Sequence, residues 1–412
     1  MGRCGLRVAK IVTFSPRPQR PRSPSGTPEG GKRDERLILP LNDSVSATLS
    51  INQMHATTTI FTSTDLSEDR IWLNGKEESF DESSRLLTCI NEIRKKAAEK
   101  ERECLNSGIE TEDRSKWKVH VCSENNFPTG AGLASSAAGY ACFVYCLTKV
   151  LNVDCEVSSV ARLGSGSACR SVLGGFVRWH RGLKGDGSDS LAEQIVPAEH
   201  WPTLRIVILV VSDHKKKVSS TSGMQRSVET SELLKFRVST VVPRRTEEII
   251  KAIERKDFHS FAELTMKDSN QLHSVCLDTY PPAVYMNDVS HAIVDFVHKY
   301  NKLKGSSNKL AYTFDAGPNA CLFTEEEHLS EVIALIKRVF PPLSDDNFVR
   351  GLPVQNKQID ADNLLLPSCG PHEPGLLKYI LSTKLGDGPT VVSEPGIHLL
   401  DDKGLPKKQL EV

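Results

Sequence analysis

Apolar and polar positions change rhythm several times along this chain. Leu37 to Leu49 and Thr57 to Ser63 alternate and are rich in β-branched residues, which predicts strands. Arg70 to Leu73 is a further short strand leading into Asn74-Gly75, a good tight-turn pair. Ser84 to Lys100 has helical spacing, Trp117 to Ser123 alternates, and Ser136 to Leu151 is helical again, opened by serines suited to capping. Glu156 to Leu163 begins another helix, and Leu204 to Val211 reads as a buried strand. Pro243 to His298 is mostly helical, broken at Pro281-Pro282. Lys309 to Phe314 and Ala320 to Thr324 predict paired strands around a turn, and Glu327 to Val339 a helix. Strands and helices mix without a β-α-β rhythm, so the expected class is α+β, not a doubly wound sheet.

The first thirty residues differ. Arg17 to Gly26 is rich in Pro, Arg and Ser, with no hydrophobic period, and no acidic residue precedes Glu29. Residues 1–30 are therefore expected to be disordered. An acid-poor basic start also suits a targeting peptide, but its prolines would break the amphipathic helix such a peptide needs. The sixth residue is Leu6, not the Ser or Thr of a myristoylation site.

Composition narrows the function classes. The chain has 412 residues, 39% hydrophobic and 25% charged, with 52 basic and 52 acidic side chains that balance. That is an ordinary globular composition, with no global charge favouring nucleic acid or a membrane. The run Lys215 to Lys217 reads as a solvated loop. The apolar run Ile206 to Val211 is far short of the roughly 20 residues of a membrane span. The eleven cysteines include no C-x-x-C pair, and no H-E-x-x-H occurs. A reduced, intracellular protein without a structural metal is expected. Cys142 and Cys146 lie on an apolar helical stretch and read as buried thiols.

The most informative segment is Pro128-Thr129-Gly130-Ala131-Gly132-Leu133-Ala134-Ser135-Ser136-Ala137-Ala138-Gly139, between a predicted strand and a predicted helix. Small residues let backbone approach a phosphate, and amides at the helix start face the anion. Ser135 and Ser136 can cap the helix, touch phosphate oxygens or hold a magnesium ion. A helix-capping loop with small residues for packing is the plainer alternative. No Lys follows the glycines, so this is not the G-x-x-x-x-G-K-[ST] loop, nor does it match G-x-G-x-x-G.

The segment resembles the phosphate loop P-x-x-x-G-L-x-S-S-A of the GHMP kinase superfamily, unbroken from Pro128 to Ala137. Further stretches resemble the mevalonate diphosphate decarboxylases in particular, in their vertebrate type. They are Gly164-Ser165-Gly166-Ser167-Ala168-Cys169-Arg170-Ser171, Ala311 to Ala320 around Asp315, and Ser219 to Met224 with Thr221. Asp69 to Gly75 and Met266 to Gln271 are also similar. Read alone, the first is a solvated turn and Asp315 a strand-end residue before a turn. The resemblance implies a two-lobed GHMP-kinase-like α+β fold with its active site in the cleft. The lobes would span 31–205, which binds ATP, and 206–412. It assigns the ATP phosphates to Pro128, Gly130, Gly132, Leu133, Ala134, Ser135 and Ser136. The substrate falls to Gly31, Lys32, Arg85, Ser165, Gly166, Ser167, Ala168, Cys169, Arg170 and Thr221. Asp315 would be the catalytic carboxylate and Arg170 the holder of the substrate carboxylate, a task suited to a planar bidentate fork.

The implied substrate is mevalonate 5-diphosphate, a diphosphorylated 3-hydroxy acid. Hydroxide leaves poorly, so ATP with Mg2+ converts the tertiary hydroxyl into a phosphate before carbon dioxide departs, giving isopentenyl diphosphate. A cytoplasmic homodimer is implied as well. The N-terminus departs from the family, whose first strand reads roughly A-P-V-N-I-A-x-x-K-Y-W-G-K. Only Gly31-Lys32-Arg33-Asp34 matches its end. A missing strand would leave backbone groups unpaired, so a weakly active or inactive variant is one expectation. A related small-molecule kinase is another.

Overall fold

The computed structural model describes residues 2–9, 11–13, 34, 36–79, 84–127, 135–212, 220–358, 369–392 and 397–407. Among these residues the strands form three sheets. The first has six strands in the order β15 (Thr390–Val392), β1 (Gly2–Ala9), β4 (His55–Ser63), β7 (Lys118–Asn125), β5 (Arg70–Leu73) and β6 (Lys76–Glu78). The second runs β2 (Ile11–Thr13), β3 (Ser44–Thr48), β8 (Phe176–Trp179) and β9 (Ala192–Val196). The third is β11 (Leu310–Phe314), β12 (Ala320–Glu325), β10 (Leu204–Val210), β14 (Tyr379–Lys384) and β13 (Val349–Gly351).

Around the first two sheets lie α1 (Arg85–Asn106), α2 (Ser135–Val150), α3 (Val157–Gly164) and the single turn α4 (Ala168–Ser171). The helices α5 (Ser220–Thr230), α6 (Glu232–Phe236), α7 (Val242–Arg255), α8 (Phe258–Asp278), α9 (Asp288–Lys304) and α10 (Glu326–Val339) accompany the third. Local chemistry sets several helix starts. The Ser84 hydroxyl accepts from the Leu86 amide, Glu156 from Ser158 and Ser159, and Asn287 from Ser290 in a reciprocal capping box. Cys89, Ile90, Ile93 and Ala97 form the buried stripe of α1, at the spacing a one-sided helix requires.

Two expectations need correction. Residues 2–9 and 11–13 are strands, not disordered chain. β1 pairs antiparallel with β4 from Gly2–Thr62 to Ala9–His55, and with β15 on its other side. The reason is visible in Cys4, Leu6 and Val8, which alternate with Arg3, Gly5 and Arg7 at the two-residue strand period. That signal was hidden by the Pro- and Arg-rich composition that follows it. The Arg17 to Gly26 run, Gly31, Lys32 and Lys215 to Lys217 lie outside the described residues. The second correction is that only Ser44–Thr48 of Leu37 to Leu49 is a strand. Leu37 and Leu39 instead close a turn on Asp34 through its side chain and carbonyl.

One core runs through the sheets and helices, from Val45 of β3 to Phe323 of β12. At its centre the buried Phe261 of α8 meets Phe176 of β8 at 5.8 Å, Trp201 at 5.5 Å and Phe323 at 5.4 Å between ring centroids, all edge-on. The second and third sheets are thus packed through one aromatic helix residue. Cys142 and Cys146 are buried on α2, their thiols directed at the Ala56 and Thr58 carbonyls of β4.

Candidate active site

Asp315 is exposed on the turn between β11 and β12. Everything around it is tied down. The Phe314 amide donates to the Ser269 hydroxyl at 3.0 Å, and the Phe314 carbonyl faces His273 Nε2 at 3.4 Å. Both partners come from α8. The Gly317 amide donates to the Asp315 carbonyl at 2.7 Å, which tightens the turn. Beyond it, the Ser290 hydroxyl donates to the Pro318 carbonyl at 3.0 Å. The Asn319 side chain accepts from the Val211 and Ser212 amides and donates to the Ser212 carbonyl. Asp315 therefore stands as a carboxylate on a turn held by α8, α9 and the end of β10.

The groups around it, Ser269, His273 and Cys276, are buried. Burial depresses the imidazole of His273 below its usual value, although the Phe314 carbonyl and Asp315 act the other way. Burial pushes the Cys276 thiol up to about 12, with the charge of Asp315 adding to it. Tyr285 is raised by burial too, with Cys276 and Asp315 contributing.

The second group comes from the end of α3. Gly164 is the last residue of that helix, and a Cβ there would run into the Tyr140 ring of α2. The glycine therefore lets α3 close onto α2 and aims the following run. Ser165 and Ser167 place their hydroxyls 3.4 Å apart, and the Ala168 amide donates to the Ser165 carbonyl at 2.7 Å. The Cys169 thiol faces the Gly166 carbonyl at 3.0 Å. Arg170 is fully buried, its Nη1 donating to the Ser44 hydroxyl at 2.6 Å and its guanidinium 5.3 Å from the Trp179 ring centroid. Far from being a solvated turn, the run is a packed corner.

The third group is the start of α2. Ser135 and Ser136 open this 16-residue helix directly after β7 and the loop, and its first turn carries no acidic side chain. A helix start without a carboxylate, furnished with hydroxyl oxygens, fits a phosphate and the hard magnesium ion that accompanies it. Pro128, Gly130, Gly132, Leu133 and Ala134 lie outside the described residues. Arg85, exposed at the first position of α1, is near enough to Tyr140 for its charge to act on that phenol. Burial raises the phenol to about 12, while Arg85 opposes the shift. Arg85, α2 and the Gly164 corner are thus neighbours. Thr221 falls in the first turn of α5. No three His, Cys, Asp or Glu side chains converge as a metal site among the described residues.

The second sheet meets α8 near the Arg170 corner. Ser44, the partner of Arg170, precedes Val45, which shares a small pocket with Asp268 of α8. Asp268 is next to Ser269 and is paired with Arg237 at 2.8 Å and Arg245 at 3.4 Å. Sequence reading missed Ser44, Ser269, His273 and Asn319. Asn319 and Ser269 lay inside the motif stretches, but only the packing of α8 on β11, for Ser269, and the end of β10, for Asn319, shows what they hold.

Comparison with known proteins matches the two halves separately. A diphosphomevalonate decarboxylase-like N-terminal domain matches residues 30–192, and a mevalonate 5-diphosphate decarboxylase C-terminal domain matches residues 206–392. The diphosphomevalonate decarboxylase of Danio rerio is 52% identical over 92% of this chain and 93% of its own. A crystal structure of mevalonate 5-diphosphate decarboxylase superposes with a TM-score of 0.81 at 38% identity, covering 98% of this chain and 99% of that one. The protein called MDDEF, solved in complex with MVAPP, AMPPCP and magnesium, gives 0.69 at 26% identity, covering 95% and 98%. These likenesses do not support the expectation of an inactive variant. Nor does the strand order of the first sheet, where β1 lies between β4 and β15.

Proposed function

The chain belongs to the mevalonate 5-diphosphate decarboxylase family, and from that premise we propose how its own residues divide the reaction. It is an ATP-dependent carboxy-lyase of GHMP-kinase-like α+β fold, converting mevalonate 5-diphosphate to isopentenyl diphosphate with ADP, phosphate and carbon dioxide as the other products.

Asp315 is the catalytic carboxylate. It hydrogen-bonds the tertiary hydroxyl of the substrate and accepts its proton as that oxygen is phosphorylated by ATP. The observation that carries this is its placement: an exposed carboxylate on a turn whose neighbours on both sides are fixed by Ser269, Ser290 and Asn319. The new phosphate then leaves with the electron pair of its C–O bond. The electrons of the bond to the carboxyl carbon form the alkene, and carbon dioxide departs. Arg170 holds the carboxylate of the substrate, supported from behind by Ser44 and Trp179. Ser165 to Cys169, Arg85, Thr221, Gly31 and Lys32 bind the rest of the substrate. Pro128, Gly130, Gly132, Leu133, Ala134, Ser135 and Ser136 bind the phosphates of ATP, with Ser135 or Ser136 the residues that would hold Mg2+, which when bound neutralises charge on the phosphoryl group.

The third sheet, whose strands all follow residue 203, supports a two-lobe division just before β10, since a cut at 205–206 falls inside that strand. The family resemblance supports a homodimer and a cytoplasmic setting, which sedimentation and imaging of the tagged protein test. The experiment for the catalytic assignment is Asp315→Asn. Turnover should vanish while ATP still binds, and a variant that retains turnover contradicts the role.

A further inference from the structure

Tyr285 belongs to none of the motifs above, yet the connection that carries it joins two parts of the proposed site. It sits on the connection from α8 to α9. That connection is laced to α5, the helix whose first turn contains Thr221. The Ser227 hydroxyl of α5 pairs with the Thr279 hydroxyl at 2.7 Å, and the Tyr280 amide donates to the Thr230 hydroxyl at 2.8 Å. The Ala283 amide returns to the Cys276 carbonyl of α8 at 2.9 Å. At the other end, Ser290 holds the Pro318 carbonyl of the Asp315 turn.

The closest approach is at Gly223, a buried residue of α5. A Cβ built there would collide with the Tyr285 hydroxyl oxygen, whereas the ring carbon bearing that oxygen would stand 3.2 Å away. The phenol end therefore occupies the space that a side chain on α5 would fill. Arg226, three residues on and so on the same helix face, acts electrostatically on Tyr285. Cys276 and Asp315 act on it as well, with the opposite sign.

We propose that Tyr285 is a positioning residue of the decarboxylation site: its hydroxyl, seated against Gly223, sets the spacing between the first turns of α5 and the Asp315 turn. The inference rests on the assignment of Asp315 and the reaction above. Removing the hydroxyl loosens that spacing, and enlarging Gly223 forces it open. A glycine inside a helix is otherwise unfavourable relative to alanine, so Gly223→Ala would stabilise α5 if nothing stood over it.

The test is a cycle of Tyr285→Phe, Gly223→Ala and the double variant, each assayed for kcat and for KM of both substrates, with thermal unfolding alongside. Tyr285→Phe should lower kcat/KM for mevalonate 5-diphosphate about tenfold, with KM for ATP nearly unchanged. Gly223→Ala should lower it further. The double variant should recover much of what Gly223→Ala loses, because the atom that collides is gone. The proposal is overturned if Tyr285→Phe is fully active, if Gly223→Ala is neutral, or if the double variant is no better than Gly223→Ala. It is also overturned if the losses follow the unfolding temperature and affect both substrates equally. Loss of turnover in Asp315→Asn is read separately, so failure of the parent assignment is distinguished from failure of this one.

Discussion

The Ser269 hydroxyl accepts the Phe314 amide at 3.0 Å, joining the middle of α8 to the residue before Asp315. The register of the Asp315 turn is therefore set by a helix that is distant in sequence. Thr265 and Asn270 on the same helix are satisfied elsewhere, Thr265 by the Phe261 carbonyl and Asn270 by the Tyr312 hydroxyl.

Ser269→Ala removes the only hydroxyl on α8 shown accepting from Phe314, leaving a buried amide without that acceptor. It should cost about 1–3 kcal/mol of stability and lower kcat about tenfold or more through misplacement of Asp315. KM for ATP should change little. Steady-state kinetics with chemical denaturation checks this. An unchanged kcat would show that the turn holds Asp315 without α8.

A second prediction concerns acid stability. Arg94 of α1 grips Asp69 with two bonds, at 2.8 and 2.9 Å, and the Val119 amide adds a third at 2.8 Å. Burial disfavours the charge of Asp69, but the Arg94 and Val119 bonds outweigh it and hold the carboxyl below its ordinary 3.8. The folded group thus binds its proton less readily than the unfolded one. Its stabilisation is full above about pH 4 and is lost as pH falls through the folded value. Asp69→Asn should be less stable at neutral pH, and its stability should fall less steeply on acidification. Parallel acid limbs for the two proteins would contradict this.

Phe261→Ala addresses the packing between the second and third sheets. It removes the ring that Phe176, Trp201 and Phe323 all meet edge-on. The expected loss is about 3–5 kcal/mol, from lost burial and the cavity left behind. Urea unfolding measures it. A loss under about 1 kcal/mol, the size expected of a volume-conserving change, would mean that the rings are not the joint between the sheets.

What was legible in the sequence was local. Arg70 to Leu73 is a strand with Asn74 and Gly75 at φ 48° and 79°, the turn that an Asn-Gly pair specifies. Ser84 caps α1, and the strands at 310–314 and 320–325 pair as expected. β13 to β15 were missed because their identity comes from partners far along the chain, as in β15 against β1, and β8 and β9 were missed too. β1 was missed because composition downstream was allowed to outweigh its own alternation. In the proposed site, Asp315 and Arg170 were singled out by motif. The residues that hold them, Ser269, Asn319 and Ser44, were not, since a serine or asparagine becomes a clamp only when folding brings a distant amide or guanidinium to it.

The central claim is that phosphorylation and decarboxylation occur together on one substrate. Its most direct test is to mix the purified chain with ATP, magnesium and mevalonate 5-diphosphate and measure ADP and carbon dioxide in the same sample. Equal amounts of both, absent in Asp315→Asn, are predicted. ADP without carbon dioxide, or neither product from the unaltered chain, would contradict it.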